Sequence, residues 1–284
     1  MKKKSKDGVT VRKSDDPKTW EEFYKAFLNL LPKVSNSHNP TDIFRDVCRI
    51  FSLSIRGTVT ISQIEKDEIE KQYQSFVSKY GNEGMSKIAT LLAYTVEALE
   101  LRRSDFLGHI YEALNATVKS FGQFLTPDSI AKMMGQVTFS THDIEHGKII
   151  RMDDPSCGAG ALLIEAAEAY ITNGGRQGDL LLYGEDLDAT ACCITYVQFS
   201  LLGYAAIVMH QDTLSMKVYE GPWYTPCYFA HGMPMRLIAE GMSEKNDEQA
   251  EARQGKSIEM PQEKPVEETK PINVRELVQG EFNF

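Results

Sequence analysis

The stretch Asp154-Pro155-Ser156-Cys157-Gly158-Ala159-Gly160-Ala161-Leu162-Leu163 has residue types and spacing that could do chemistry. It follows a short apolar strand candidate, Ile149 to Met152, and runs into an apolar helix candidate, Leu162 to Tyr170. An acid at a strand's carboxyl end, a Gly-rich turn and a helix are how open α/β sheets build a nucleotide-type pocket. Glycine at 158 and 160 permits a tight turn and a close approach of backbone to ligand. The acid disfavours a bare pyrophosphate and favours a ligand with hydroxyls and an amino group. Taken alone, the same run also reads as plain strand-to-helix punctuation.

The elements that must position this loop follow from periodicity. Strand candidates lie at Lys148 to Met152, Leu180 to Tyr183 and Ala205 to Met209, with helices at Leu162 to Ile171 and Ala189 to Leu202 between them. Such alternation predicts a parallel sheet with right-handed crossovers. Upstream, Trp20, Phe23, Tyr24, Phe27, Leu28 and Leu31 fall at helical spacing and Pro32 closes the segment. Further amphipathic helices are predicted over Thr41 to Ile55, Ser62 to Tyr80, Met85 to Leu101 and Asp105 to Val118. Thr126-Pro127 begins another through Met134, with Thr126 at the N-cap and Pro127 at the first helical position. The expected organisation is a disordered 1–17, a helical domain 18–120, an α/β domain 121–242, a disordered linker 243–273 and an apolar tail 274–284.

Composition bounds the class. With 284 residues, 42% hydrophobic and 10% aromatic, the chain reads as globular. No apolar run approaches the roughly 20 residues that span a bilayer, so no membrane partner is expected. The basic start, Met1 to Asp7, lacks the apolar core of a secretory signal. Five cysteines without CxxC spacing predict neither a disulfide framework nor a metal site, which points to a reducing cytoplasm. The net charge is −9, and residues 243–270, with eight acids and five bases, carry −3 of it. Duplex binding needs basic groups for phosphate, so a DNA ligand would require a local patch or a basic partner subunit.

Four blocks in order give a more specific reading: Leu107 to Glu112, Gly122 to Pro127, Asp154 to Leu163 and Gly184-Glu185-Asp186. Their set, spanning about residues 100 to 215, resembles the N6-adenine DNA methylases and the modification subunit of type I restriction systems. The resemblance implies a Rossmann-like, S-adenosylmethionine-dependent methyltransferase sheet, truncated here, behind a helical N-terminal domain. Gln123, Phe124 and Thr126 would pack against the cofactor's methionine end, Thr126 offering donors to its carboxylate; its plain alternative is a helix cap. Asp154 would attract the cofactor's amino group, with Ser156, Gly158 and Gly160 forming the loop. Asp186 would accept the ribose hydroxyls, a role open also to Glu185 or Asp188. Asp212, in Gln211-Asp212-Thr213-Leu214, would accept the adenine amino group, or else simply form an Asp-Thr turn.

One motif departs from the family. Adenine's exocyclic nitrogen is a poor nucleophile, and the family positions it with Asn-Pro-Pro-Tyr/Phe, whose polar acceptors hold the amino group while the aromatic stacks on the flipped base. No Asn-Pro-Pro occurs in this chain. The nearest match is Thr225-Pro226-Cys227-Tyr228, with Thr225, Pro226 and Tyr228 as candidate catalytic residues and a packed aromatic turn as the alternative. Gly221-Pro222 precedes it, where proline is disfavoured in a central strand.

The leading expectation is therefore an adenine-N6 DNA methyltransferase of the type I modification class with a degenerate catalytic motif, using S-adenosylmethionine and acting on DNA with a specificity subunit or other basic partner. A non-catalytic relative that binds cofactor and regulates modification or restriction is the alternative, and a methyltransferase with another substrate a third. The last six residues, Gln279 to Phe284, also resemble peptides that dock on the bacterial sliding clamp.

Overall fold

A computed structural model describes residues 17–115 and 146–242, with Ile130, Met133, Met134, Gln136 and Ile144 between them. Residues 1–238 form one compact unit; of the second, 239–284, only the helical 239–242 are described. Of the helix expected from Thr126 through Met134 only Ile130, Met133 and Met134 are described, all three helical; the linker and the apolar tail lie outside the described residues, as does all of the N-terminal segment except Pro17.

The helical region begins with α1 (Trp20–Leu30), whose N-terminus is closed by a capping box between Thr19 and Glu22. A 3-10 turn, Leu31–Lys33, leads to α2 (Pro40–Val59), which starts on Asn39 as N-cap with proline at its first position. The two helices predicted over 62–80 and 85–101 are joined in α3 (Gln63–Leu101), but Gly81 breaks the path with φ 61° and ψ 179°, a conformation open to glycine. Then comes α4 (Phe106–Asn115).

Strands and helices alternate from residue 150: β1 (Ile150–Asp154), α5 (Ala161–Thr172), β2 (Leu180–Asp186), α6 (Ala189–Leu201) and β3 (Ala206–Asp212). β1 pairs with β2 and β2 with β3, both in parallel. An expectation ends there, because the chain next forms β4 (Lys217–Tyr224), which pairs antiparallel with β3 and leads into the short α7 (Pro226–Ala230). Sequence periodicity misses β4 because Gly221-Pro222 interrupts it. β4 lies at the end of the strand order, where proline costs no ladder bond, and its register with β3 is irregular around His210.

The helical region and the sheet share one hydrophobic core. Helix α6 explains why. Every residue from Ala191 to Phe199 is buried, so the helix has no wet face and must be covered on all sides. Sheet residues Met152, Leu180, Leu182, Ala206 and Val208 and helical-region residues Phe44, Val47, Phe51 and Phe106 all belong to the cluster that includes α6. Polar joints reinforce the contact. Arg103 donates to Glu168 on α5 at 2.7 Å and to the Leu202 carbonyl at 3.0 Å. Arg49 and Arg56 of α2 reach β4, where Arg49 pairs with Glu220 at 2.8 Å and the Arg56 guanidinium lies 4.6 Å from the Trp223 ring centre. The opposite face of the sheet carries a smaller cluster around Ile149, Leu181, Ala205, Tyr228 and Met233.

Candidate functional site

Each of the three parallel strands ends on an aspartate: β1 on Asp154, β2 on Asp186, β3 on Asp212. Parallel pairing brings these three ends to one edge of the sheet, where open α/β folds take their ligands. Carboxylates are acceptors only when ionised, so this edge is shaped for amino groups, hydroxyls and positive charge.

The loop after β1 is tied to β2. Cys157 N–H donates to the Glu185 carbonyl at 2.9 Å, and Gly158 N–H to Asp186 Oδ2 at 2.8 Å. Asp186 Oδ1 accepts from Asp188 N–H at 2.8 Å. Asp186 is only 8% exposed, but two backbone bonds fill about half of a carboxylate's roughly four acceptor sites. The others carry no hydrogen bond among the described residues. Asp188, the alternative candidate, is already used: it caps α6 through Thr190 N–H and accepts from Tyr111 Oη at 2.6 Å. Burial and that carboxylate push the Tyr111 hydroxyl up to about 12. Glu185, the other alternative, accepts from the Thr213 hydroxyl at 3.1 Å, across from the Pro155 carbonyl.

The two loop glycines have different duties. Gly158 adopts φ 54° and offers its N–H to Asp186. Gly160, at φ 86°, is required by packing: a β-carbon there would sit 2.9 Å from Phe199 and 3.2 Å from Thr195. Its smallness therefore admits α6, a packing duty that the residue types alone did not show. Ser156 is exposed and its N–H closes a turn on Asp154 Oδ1 at 3.0 Å.

The electrostatics are those of crowded acids. Burial, then the Asp186 charge, raises the Asp154 carboxyl above its ordinary range, and Asp153 is raised by burial and by Glu185. Asp212 moves the other way, lowered by hydrogen bonds from Ser215, while Leu214 N–H also donates to it at 3.0 Å. A site of this kind gains from a cationic ligand, which relieves the mutual repulsion.

The predicted catalytic residues are elsewhere. Because β4 runs antiparallel, its carboxyl end lies beside the beginning of β3, and Tyr224 is in register with Ile207. Thr225, Pro226 and Tyr228 therefore sit at the opposite edge from the three aspartates, about 20 Å away along a seven-residue strand. Thr225 is fully buried; its hydroxyl donates to the Tyr204 carbonyl at 2.7 Å and accepts from Ala206 N–H at 2.9 Å. Pro226 opens α7, and Tyr228 packs 4.7 Å from the Tyr224 ring. The segment is a packed aromatic turn that ends the hairpin. It is not brought together with the loop at 154–160. Gln123, Phe124 and Thr126 lie outside the described residues.

Residues that sequence reasoning missed hold the loop from behind. Thr195 donates to the Gly158 carbonyl at 2.8 Å, and Gln198 to the Ala159 carbonyl at 2.9 Å. Their signal was present: two polar residues three apart, hence on one face, inside an otherwise apolar helix.

Fold and site together define a class, the open α/β sheet with an acidic, glycine-turned crevice at the ends of its parallel strands. Within that class the sequence narrows further, since residues 102–227 match the model of the N-6 DNA Methylase family, and that stretch carries the family's pattern. The chain is 29% identical over 153 residues to the type I restriction enzyme MjaIX methylase subunit of Methanocaldococcus jannaschii, covering 52% of this chain and 26% of that one. Two solved structures are similar at lower identity. One is a type I restriction-modification methyltransferase subunit from Streptococcus thermophilus, at 15% identity and TM-score 0.39, over 69% of this chain and 59% of that one. The other is a putative class I S-adenosylmethionine-dependent methyltransferase from Listeria monocytogenes, at 17% and 0.38, over 69% and 54%. The chain thus spans about a quarter of the curated relative and little more than half of either solved chain. Among the described residues no helix is long and apolar enough to cross a membrane.

Proposed function

We propose that this chain is the S-adenosylmethionine-binding part of an N6-adenine DNA methyltransferase of the type I modification class. The observation that carries the reading is the set of three strand-end aspartates beside a glycine turn, lying within the stretch that matches the N-6 DNA methylase family. The residues fit the cofactor's chemistry. Asp154 would hold the amino group, the free acceptor sites of Asp186 the ribose hydroxyls, and Asp212 the adenine amino group. The acidic edge suits a sulfonium and would repel a diphosphate. When bound, the cofactor supplies an activated methyl group.

DNA would be reached with help. The acidic balance of the chain favours a partner that supplies basic surface, and a specificity subunit is the partner type I systems imply. Such work fits the reducing cytoplasm expected from cysteine usage. One observation favours the second reading, a non-catalytic cofactor-binding relative that regulates modification: Thr225-Pro226-Cys227-Tyr228 is buried at the far edge of the sheet. The clamp-like peptide Gln279 to Phe284 lies outside the described residues.

Two measurements decide between these. Calorimetric titration with S-adenosylmethionine should show one site, strongly weakened in Asp186→Ala; an inert wild type sinks the cofactor reading altogether. Radiolabelled methyl transfer to unmethylated DNA, with and without partner subunits, then separates enzyme from regulator, since a chain that binds cofactor and never labels DNA is the regulator.

A further inference from the structure

Gln198 on α6 is fully buried and uses its whole hydrogen-bonding capacity. Its Oε1 accepts from Phe106 N–H at 2.7 Å and from Leu107 N–H at 2.9 Å. Its Nε2 donates to Asp105 Oδ1 at 2.9 Å and to the Ala159 carbonyl at 2.9 Å. A primary amide has two acceptor lone pairs and two donor hydrogens, and all four are engaged. The orientation of the amide is fixed by its partners, two N–H donors on one side and a carboxylate and a carbonyl on the other.

The four partners belong to two places that the chain keeps far apart in sequence. Phe106 and Leu107 open α4 and would otherwise be orphan donors at its N-terminus. Asp105 completes that end by accepting from Gly108 N–H at 2.7 Å, and Gly108 has no room for a side chain, since a β-carbon would lie 2.0 Å from Asp105. Ala159 stands between the two loop glycines, Gly158 and Gly160, both with positive φ. Gln198 thus ties the first turn of α4 to the glycine turn through one fully buried joint. Leucine in its place would leave the Phe106 and Leu107 N–H groups and the Ala159 carbonyl without this partner and would take one donor from Asp105, which keeps Gly108 N–H.

We propose that Gln198 is a positioning residue for cofactor binding, and that through it the start of α4 and the 154–160 loop open and close as one unit. The inference rests on the S-adenosylmethionine reading of that loop. By reciprocity, a ligand that orders the loop also orders whatever the loop is coupled to. Occupancy of the crevice is therefore felt at Phe106 and Leu107 in the helical region, which have no place in the crevice themselves.

The test compares wild type, Gln198→Glu and Thr95→Ala as full chains. Glutamate keeps the shape and the acceptor toward Phe106 and Leu107, removes both donors and sets an oxygen against the Ala159 carbonyl and the Asp105 carboxylate. Thr95 is fully buried on α3, where its hydroxyl donates to the Leu91 carbonyl at 2.9 Å, so its loss destabilises without touching the joint. Calorimetry with S-adenosylmethionine should give a Kd at least about tenfold weaker for Gln198→Glu, since loss of the bond to the Ala159 carbonyl alone is of that size, and an unchanged Kd for Thr95→Ala. Hydrogen exchange should show residues 157–161 less protected in ligand-free Gln198→Glu. Added S-adenosylmethionine should slow exchange at Phe106 and Leu107 in wild type and not in Gln198→Glu. Wild-type affinity and wild-type loop protection in Gln198→Glu would overturn the proposal, as would equal loosening in Thr95→Ala. A wild type that binds no S-adenosylmethionine would remove the functional reading instead, and loop protection in the ligand-free proteins would still decide what Gln198 holds. If Gln198→Glu fails to fold, Gln198→Asn, which retains both donors and acceptors on a shorter arm, takes its place.

Discussion

At the carboxyl ends of β1, β2 and β3 the chain gathers Asp154, Asp186 and Asp212 around a turn with two positive-φ glycines. At the opposite end it gathers Thr225, Pro226, Tyr228 and Tyr224. Both ends carry residues that could serve a methyltransferase. They differ in what their polar atoms already do. Asp186 keeps acceptor capacity beyond its backbone bonds, and at Asp154 burial and the Asp186 charge disfavour the charged state. The Thr225 hydroxyl is engaged on both sides by backbone, at Tyr204 and at Ala206, and Tyr228 packs against the Tyr224 and Phe229 rings. A site is marked by unspent bonding capacity, and a structural turn by its exhaustion.

The comparison breaks most sharply at the acidic edge. Asp186→Ala should weaken S-adenosylmethionine binding by on the order of 30- to 100-fold, the worth of a charged hydrogen bond, as read by calorimetry. Affinity within a few-fold of wild type would show that the edge is not the site. At the other end the prediction is reversed. Tyr228→Ala should cost stability by about 3 kcal/mol, the low end for removing a buried aromatic, in denaturant unfolding, with cofactor affinity unchanged. A Tyr228→Ala protein that folds normally but loses methyl transfer would restore the catalytic role.

Thr225→Val is a finer probe of the same end. It preserves shape and strands the Ala206 N–H, so about 1–2 kcal/mol of stability should be lost, again without effect on cofactor affinity. The smallest expected effect concerns Asp154. Its folded-state pKa lies above the unfolded value, so the native protein binds the extra proton and this group's contribution to stability falls as pH rises through that window. Asp154→Asn should therefore melt slightly higher than wild type near pH 7, the difference closing as the pH falls to the carboxyl's titration. The same substitution should weaken cofactor binding. A variant that melts no higher at neutral pH would show that the acid is not under strain.

Much of the molecule was legible along the chain. Apolar alternation and caps marked the helices and the three parallel strands, because those signals are local; α1, α2 and α6 lie within a few residues of where periodicity puts them. The three aspartates were legible as acids just beyond the strand candidates, with the family resemblance choosing Asp186 over Glu185 and Asp188. The loop glycines were legible as a turn, though the purpose of Gly160 was not, since Phe199 and Thr195 come to it from a different helix. The place of Thr225 to Tyr228 was not legible either. It depends on β4 turning back along β3, a pairing direction that Gly221-Pro222 obscures and that no neighbouring residue encodes.

The amino-acid sequence by itself determined the strand-helix alternation, the acids at the strand ends and the glycine turn, because each depends on residues within one or two turns of chain. Only the tertiary structure decided which edge of the sheet each motif faces, that the helical region and the sheet are one core, and that Gln198 bonds residues more than 90 positions before it. Those outcomes come from burying an α6 that is apolar on every side and from satisfying every polar group enclosed with it, and both conditions are met only by the packed chain.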